Sequence, residues 1–137
     1  MTKFYSKILK KIVINYLNQS QHKNIFFADA NDKFNQKQFA SKVFNYQNQL
    51  EKIWINDKQN RSIGILLDRS VDYIAIIFAT WLCNGYYVPL SILSPKKNIN
   101  YQINNSNLSL IIHKEKGVIK FKKILKKNKK KINIKNQ

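Results

Sequence analysis

The sequence predicts an α/β fold built on a partial parallel sheet, with a βαβαβ core over about residues 63–112. Three short apolar runs, at residues 63–67, 86–88 and 108–112, have the length and composition of buried strands. Helical spacing and helix-capping residues fill both intervals between these runs. Short apolar strands joined by crossover helices favour a parallel sheet that is covered on both faces. We expect an amphipathic helix, a short hairpin and a second helix before this core, and a basic, poorly ordered C-terminal tail after it.

The first element is a predicted basic amphipathic helix over residues 4–17. Most of its lysines fall opposite an apolar stripe with helical spacing, which consists of Tyr5, Ile8, Leu9, Ile12, Val13, Tyr16 and Leu17. A stripe of this kind is typical of a helix that packs against the rest of a protein. A helix that lies on a membrane surface is the alternative.

A short hairpin and a second helix are predicted next. Residues 25–28 are a strand candidate, residues 29–33 have turn chemistry, and Phe34 starts the return strand. Asn35 is a predicted N-cap for the helix that follows. That helix carries one apolar face, which consists of Phe39, Val43, Tyr46, Leu50 and Ile53.

The first crossover helix of the core has recognisable ends. Ser70 is a predicted N-cap, and Asp72 places a negative charge in the first helical turn. The helix is apolar on nearly all sides, so we expect it to be buried. Gly85 is expected to take the left-handed conformation that stops this helix.

The second crossover helix is shorter. Pro89 ends or edges the strand before it, and Ser94 and Pro95 are interpreted as its N-cap and first helical residue. The apolar signal continues through this helix to the third strand at Ile99, Tyr101, Ile103 and Leu108.

The second strand and the residues around it carry a familiar motif. Residues 82–90 read Leu-Cys-Asn-Gly-Tyr-Tyr-Val-Pro-Leu. They resemble an early motif of the adenylate-forming (AMP-binding, AMP-dependent synthetase/ligase) enzymes, which reads roughly Leu-Lys-Ala-Gly-(small)-Tyr-Val-Pro-Leu-Asp. The matching positions are Leu82, Gly85, Tyr87, Val88, Pro89 and Leu90, and the departures are Cys83, Asn84, Tyr86 and Ser91. The matching residues also have packing or capping roles that require no chemistry.

Three flanking segments fall in register with the same family. Residues 34–39 take the place of its Leu-Thr-Tyr-x-Glu-Leu opening and match it in their apolar ends and polar middle. Residues 63–70 resemble the family's strand followed by Arg-Ser. Residues 95–112 resemble its Pro…Arg-Leu-x-Tyr-Ile-Leu-x-Asp-Ser stretch, without the usual Arg. The resemblance covers about residues 20–113, and the order and spacing of its four segments make it fairly specific.

The resemblance implies a parent enzyme that uses ATP and Mg to activate a carboxylate or an amino acid as an acyl-adenylate, often followed by thioester formation. In that family a Ser/Thr/Gly-rich loop followed by Lys holds the phosphates, a later acidic residue binds the ribose, and a C-terminal Lys is catalytic. None of these has a counterpart here, where the only glycine after Gly85 is Gly117, among lysines. We therefore assign no catalytic, cofactor-binding or metal-binding residue and no cofactor to this chain alone. Residues 1–113 are interpreted as the N-terminal part of an AMP-binding domain, and residues 114–137 as a Lys-rich tail.

The chain carries a net charge of +18, and much of this charge lies near the C-terminus. Residues 114–137 hold 11 lysines and a single acid, Glu115. Apolar residues are sparse there, so we expect a solvated tail that is partly helical around residues 119–125. Such a tail suggests weak contact with nucleic acid or anionic lipid. The alternative is genome composition, because Ile, Lys and Asn, whose codons are AT-rich, supply 61 of the 137 residues.

Other chemistry finds little support in the sequence. Cys83 is the only cysteine and lies in an apolar run, which predicts a buried small hydrophobe and excludes an internal disulfide. His22 and His113 are far apart, and no cluster of residues has metal-ligand spacing. Asp68 and Asp72 straddle a helix start, so they are interpreted as a turn residue and a helix-dipole partner, not as an acid/base pair.

The sequence predicts no transmembrane segment and a cytoplasmic location. Its longest uncharged run, residues 73–95, is strongly apolar only as far as about Cys83, which is too short for a helix that spans a bilayer. The N-terminal residues lack the continuous apolar core and the cleavage site of a secretory signal.

The leading hypothesis is that the chain is an N-terminal fragment of an adenylate-forming ligase and is not catalytic alone. Its partner would then be the remainder of a split ligase. A small basic protein that binds nucleic acid or anionic membranes is one alternative, although its aromatic residues lie at core-facing positions and do not interleave with the lysines. A partner that docks on a full-length ligase is the other.

Overall fold

A computed structural model describes residues 3–18 and 25–124 and shows the α/β fold that the sequence predicts. His22 and the residues after Ile124 lie outside the described part. The elements in chain order are α1 (Lys3–Leu17), β1 (Ile25–Ala28), β2 (Lys33–Asn35), α2 (Gln36–Ile53), β3 (Ser62–Leu66), α3 (Val71–Leu82), β4 (Tyr86–Pro89), α4 (Lys96–Asn105), β5 (Leu110–Glu115) and β6 (Val118–Lys123).

The main sheet has four strands in the order β4-β3-β5-β6. Strand β3 is parallel to both β4 and β5, which confirms the predicted parallel βαβαβ core. Strand β6 pairs antiparallel with β5, from Leu110 opposite Lys123 to Glu115 opposite Val118. The predicted hairpin is also present, as an antiparallel pair of β1 and β2 that forms a separate two-stranded sheet.

The two faces of the main sheet bury two separate apolar clusters. The larger cluster contains Ile63, Ile65, Leu110 and Ile112 of the sheet together with side chains of α1, α2 and α3. The smaller cluster contains Leu66 and Ile111 together with Ile99 and Ile103 of α4. Successive residues of a strand point to opposite faces, so β3 and β5 contribute to both clusters.

Helix α1 packs against α3 with only part of its predicted apolar stripe. Val13 and Leu17 are buried in the larger cluster, whereas Ile8 and Ile12 are exposed. None of the helices in the described ranges is long and apolar enough to cross a membrane.

Two helix starts agree with the sequence. Asn35 caps α2 through a capping box: its side chain accepts a hydrogen bond from the Gln38 backbone N–H, and the Gln38 side chain accepts one from the Asn35 N–H. The Ser70 hydroxyl caps α3 by accepting from the Tyr73 N–H at 3.3 Å.

The end of α3 differs from the prediction. Asn84, not Gly85, takes the left-handed conformation, with φ of 57°. Asparagine tolerates this region better than most residues, so it can act as the helix stop. Gly85 is needed for a different reason, since a Cβ atom at this position would lie 2.6 Å from the Arg61 carbonyl oxygen and 3.2 Å from that of Thr80. The chain passes too close to the start of β3 to admit a side chain.

Helix α4 begins one residue later than the sequence predicts. Pro95 is the N-cap and not the first helical residue, because its ψ of 144° is extended. Ser94 precedes the cap, and no side chain caps this helix. Tyr101, which the sequence placed in the apolar signal of this helix, is exposed.

The interpretation of residues 114–123 as a solvated and partly helical segment was wrong. Lys114 and Glu115 complete β5, and residues 118–123 form β6. Lys116 and Gly117 have φ of 49° and 77°, as a two-residue type I′ hairpin turn requires. Ile119 and Phe121 pack against the larger cluster, while the lysines between them stay exposed.

Strand β4 is an edge strand of the main sheet and not the buried strand that was expected. Tyr87 and Val88 are half-buried, and Tyr86 is exposed. Pro89 ends the strand, which confirms its predicted place at a strand end or edge.

Replacing Gly85 with Ala should lower the free energy of unfolding by about 2 kcal/mol, because the added methyl group meets backbone atoms that cannot move aside cheaply. Urea unfolding followed by circular dichroism measures this loss. Gly64→Ala is the matched control, since the nearest atoms that its Cβ would meet are side-chain atoms of Leu90 and Leu108, which can rotate. A smaller loss for Gly85→Ala than for Gly64→Ala would contradict this account of the junction.

Candidate functional site

An open cleft of about 1240 Å³ lies at the carboxyl ends of β3 and β4. Open parallel sheets commonly bind ligands at this edge. Three segments line the cleft: residues 27–30 of the hairpin, residues 67–71, 73, 74 and 77 from the β3–α3 connection and α3, and residues 89–93 at and after the end of β4. Most of the lining side chains are apolar.

The hairpin wall of the cleft is fastened to α3 by Asp29. One carboxylate oxygen accepts from the backbone N–H groups of Asn31 and Asp32, each at 2.9 Å. The other accepts from the Val71 N–H, the first residue of α3, at 3.2 Å. The hydrogen bond from Asn31, followed by those from Val71 and Asp32, lowers the pKa of the Asp29 carboxyl below its ordinary value. Asp29 therefore closes its own turn and also satisfies a free donor at the helix start.

The β3–α3 connection carries the polar residues of the cleft. Asp68 and Arg69 are exposed, and the Ser70 hydroxyl is engaged as the cap of α3. No histidine or cysteine lines the cleft among the residues that the structure describes.

Asp72 lies just inside α3 and joins this helix to α2. One of its carboxylate oxygens accepts from the Lys42 ammonium at 2.8 Å and from the Tyr46 hydroxyl at 2.6 Å. Burial, followed by the hydrogen bond to Asp72, raises the pKa of Tyr46 far above its ordinary value. Asp72 is therefore a link between helices at the α3 N-terminus, and Asp68 is not paired with it.

Cys83 is buried, as the sequence predicts. Its thiol points toward the Gln47 carbonyl oxygen at 3.7 Å. Burial, with a smaller contribution from Glu51, raises the thiol pKa to about 12. A thiol that stays protonated at neutral pH is a poor nucleophile, so Cys83 acts as a small core residue.

His113 lies on β5, opposite Leu66 on one side and Lys120 on the other. Its ring is half-buried, and Nδ1 has no hydrogen-bond partner within the described part of the chain. No group of three His, Cys, Asp or Glu residues there is arranged to hold a metal ion.

The family model for AMP-binding enzymes matches residues 16–136, which is most of the chain. The chain belongs to the AMP-binding enzyme family. The parallel β3–β4–β5 core and the Tyr-Val-Pro-Leu segment after α3 are the parts of the structure that carried the resemblance in the sequence.

The relatives of this AMP-binding chain are very large proteins. Gramicidin S synthase 2 from Brevibacillus brevis and from Aneurinibacillus migulanus are each 27% identical to it over 95 residues, which is 68% of this chain and 2% of the relative. CymA of Salinispora arenicola, a probable non-canonical nonribosomal peptide synthetase, is 35% identical over 52 residues, which is 38% of this chain and 1% of the relative. The chain thus spans about 2% or less of the length of these curated relatives.

Sequence reasoning identified the caps and the core of this region but not the role of Asp29. The run Asp-Ala-Asn-Asp-Lys signalled a turn, and an aspartate at the head of a turn commonly accepts from N–H groups two and three residues on. The contact with Val71 spans 42 residues and has no local signal. Arg61 was missed as well: its guanidinium donates to the carbonyls of Asp57 at 3.1 Å and Cys83 at 2.8 Å.

Asp29→Asn should lower the stability of the chain at pH 7. The variant keeps an acceptor for the turn but loses the negative charge at the start of α3. Because the pKa of Asp29 is lower in the folded chain, its stabilising effect is present above about pH 4 and disappears as the pH falls through the folded value.

Urea unfolding at pH 7 and at pH 3 tests this prediction, with the exposed Asp68→Asn at the same rim as the control. The gap between wild type and Asp29→Asn should narrow at pH 3. A gap of the same size at both pH values would show that the charge of Asp29 does not contribute.

The Cys83 thiol should resist alkylation while the chain is folded. A pKa of about 12 in place of 9.0 lowers the thiolate fraction at pH 8 on the order of 1000-fold. The rate of iodoacetamide labelling, followed by mass spectrometry with and without urea, measures this protection. Labelling of the folded chain at the rate of the unfolded one would contradict both the burial and the raised pKa.

Proposed function

We propose that this chain supplies the N-terminal part of an adenylation domain and does not form an acyl-adenylate by itself. The parent activity is the ATP-dependent activation of an amino acid or another carboxylate, often followed by transfer to a thiol. The proposal rests on the family match over residues 16–136 and on the hydrogen bonds that already occupy N–H groups at the cleft. The choice of an amino acid rests on the relatives, two of which are named as gramicidin S synthases and one as a probable peptide synthetase.

The hydrogen bonds at the start of α3 support the proposal that this chain alone holds no phosphate site. A phosphate would need free N–H donors at a helix start or a positioned cation. At the start of α3 the Ser70 hydroxyl already accepts a hydrogen bond from the Tyr73 N–H. The Asp29 carboxylate accepts one from the Val71 N–H. The Asp29 charge would also repel a phosphate. We therefore assign no step of adenylate formation to residues of this chain.

The structure supports a packing role for the residues that match the family motif. Leu82 and Leu90 are buried in the two apolar clusters, and Gly85 lies against backbone atoms at the start of β3. These residues are the ones that match the family motif, and each acts through packing. The chain thus provides a scaffold on which the nucleotide-binding segments of the parent domain would be placed.

A small basic protein that binds nucleic acid is the alternative function. Single-stranded nucleic acid is held by exposed aromatic faces beside lysines. Phe27 and Phe39 instead stack on each other at 3.8 Å between ring centroids, and Phe78 packs edge-on against Phe39. The positions of these rings favour the scaffold role.

ATP–pyrophosphate exchange tests the proposed function. The purified chain, assayed with ATP, Mg²⁺ and each of the proteinogenic amino acids, should show no exchange above background. An intact adenylation domain of gramicidin S synthase 2 serves as the positive control under the same conditions. Exchange by the 137-residue chain alone with any amino acid would overturn the proposal that it needs the rest of a domain.

A further inference from the structure

The end of α3 is a Schellman motif, in which two backbone N–H groups beyond the helix bond back to its last turn. The Asn84 N–H donates to the Trp81 carbonyl at 3.0 Å. The Gly85 N–H donates to the Thr80 carbonyl at 2.8 Å. Asn84 is exposed and holds the left-handed position of the motif, whereas Gly85 is buried. The junction between α3 and β4 therefore places an accessible side-chain amide directly before a glycine whose N–H is bonded and covered.

Asparagine followed by glycine is a chemically reactive pair. The backbone nitrogen of the glycine attacks the side-chain amide carbon and closes a five-membered succinimide ring. The amide nitrogen leaves as ammonia and takes the proton that the backbone nitrogen gives up. Water then opens the ring at either carbonyl, which yields aspartate or isoaspartate. Glycine favours this attack because it has no side chain in the way. Of the 18 asparagines in the chain, only Asn84 is followed by glycine.

The native junction opposes this ring closure. The Gly85 nitrogen must lose its proton and turn toward the Asn84 side chain before it can attack. In the fold the Thr80 carbonyl holds that proton, and burial keeps base away from it. Ring closure therefore requires that the end of α3 opens first, and its rate falls with the fraction of chains that are open.

The isoaspartyl product does not fit the junction. It routes the main chain through the former side chain and so adds one methylene between Asn84 and Gly85. The chain is fixed on both sides of this bond. The Arg61 guanidinium donates to the Cys83 carbonyl at 2.8 Å, and the Tyr86 N–H donates to the Arg61 carbonyl at 3.0 Å. A Cβ at Gly85 would already lie 2.6 Å from that carbonyl. The junction thus has no space for the added atom.

We propose that Asn84 is a deamidation site that the native α3–β4 junction protects, and that its isoaspartyl product keeps an opened chain from refolding. Water is the only co-reactant. The reaction converts a reversible opening of the junction into a permanent loss of the fold. Asn84 stands where the family motif has alanine, so the reactive pair belongs to this chain and not to the motif.

Deamidation of the full chain at pH 8, with and without denaturing urea, tests the protection. Peptide mapping by mass spectrometry follows the conversion of Asn84, and a methyltransferase specific for isoaspartate identifies the product. A peptide of residues 80–88 in both buffers corrects for the effect of urea on the reaction itself. Conversion should be at least about tenfold slower in the folded chain. Equal corrected rates in the two buffers would show that the junction gives no protection.

Ile112→Ala supplies a second measurement without urea. Ile112 is fully buried on β5 and is not part of the junction. The cavity left by this change lowers stability and raises the fraction of open chains. Asn84 should then deamidate several-fold faster than in the wild type in the same buffer. A variant that unfolds at lower urea but deamidates at the wild-type rate would contradict the proposal.

Refolding tests the consequence of the modification. Wild-type chain is aged in urea and diluted into buffer, and the fraction that fails to regain its native circular dichroism should match the isoaspartyl fraction. Asn84→Gly is the matched control, because glycine takes the left-handed position and cannot deamidate, so the aged variant should refold fully. Asn84→Asp carries the new charge on an unaltered backbone and should also refold. Full recovery of the aged wild type, or failure of Asn84→Asp to fold, overturns the role of the lengthened backbone.

Discussion

The pairing of strand β3 with parallel neighbours on both edges constrains most of the described chain. All five of its residues are buried, and β4 and β5 lie on either side. The chain moves from β3 to β4 in one direction and then returns past β3 to reach β5. Two crossovers of the same hand in opposite directions place their helices on opposite faces of a sheet. Accordingly, α3 belongs to the larger apolar cluster and α4 to the smaller one. The carboxyl ends of β3 and β4 are left together at one edge, and this edge forms the cleft.

The start of α3 is where the elements outside the sheet are joined to it. Asp29 brings the hairpin to this helix, and Asp72 brings α2 through Lys42 and Tyr46. These contacts use two of the chain's seven acidic residues. Negative charge near a helix N-terminus is favourable, so both acids stabilise the start of α3. The Asp29 contact also occupies the N–H group of Val71, the first residue of α3.

Local signals in the sequence predicted the strands of the core, the N-caps of α2 and α3 and the burial of Cys83, because each depends on residues within one or two turns. The errors have equally specific causes. Asn84 and Gly85 are adjacent residues that can both take a left-handed conformation, and in the structure Asn84 does so. Gly85 is required instead by the close approach of the Arg61 carbonyl oxygen, which lies far away in the sequence. Strand β6 was missed because its lysines hide a period-two pattern that only Ile119 and Phe121 carry. The cleft depends on contacts such as that of Asp29 with Val71, which no pattern within either segment records.

The motif residues that this chain shares with the AMP-binding enzymes have packing roles in the structure. Leu82, Gly85 and Leu90 are held by packing, and a substitution at any of them would disturb the junction between α3 and the sheet. Packing constraints of this kind act on every member of a fold, whichever substrate it uses. A motif made of such residues therefore identifies a scaffold and carries no information about a substrate. The cleft lies at the carboxyl edge of this scaffold, where open parallel sheets commonly bind ligands, and it is lined by residues outside the motif as well as by Pro89 and Leu90.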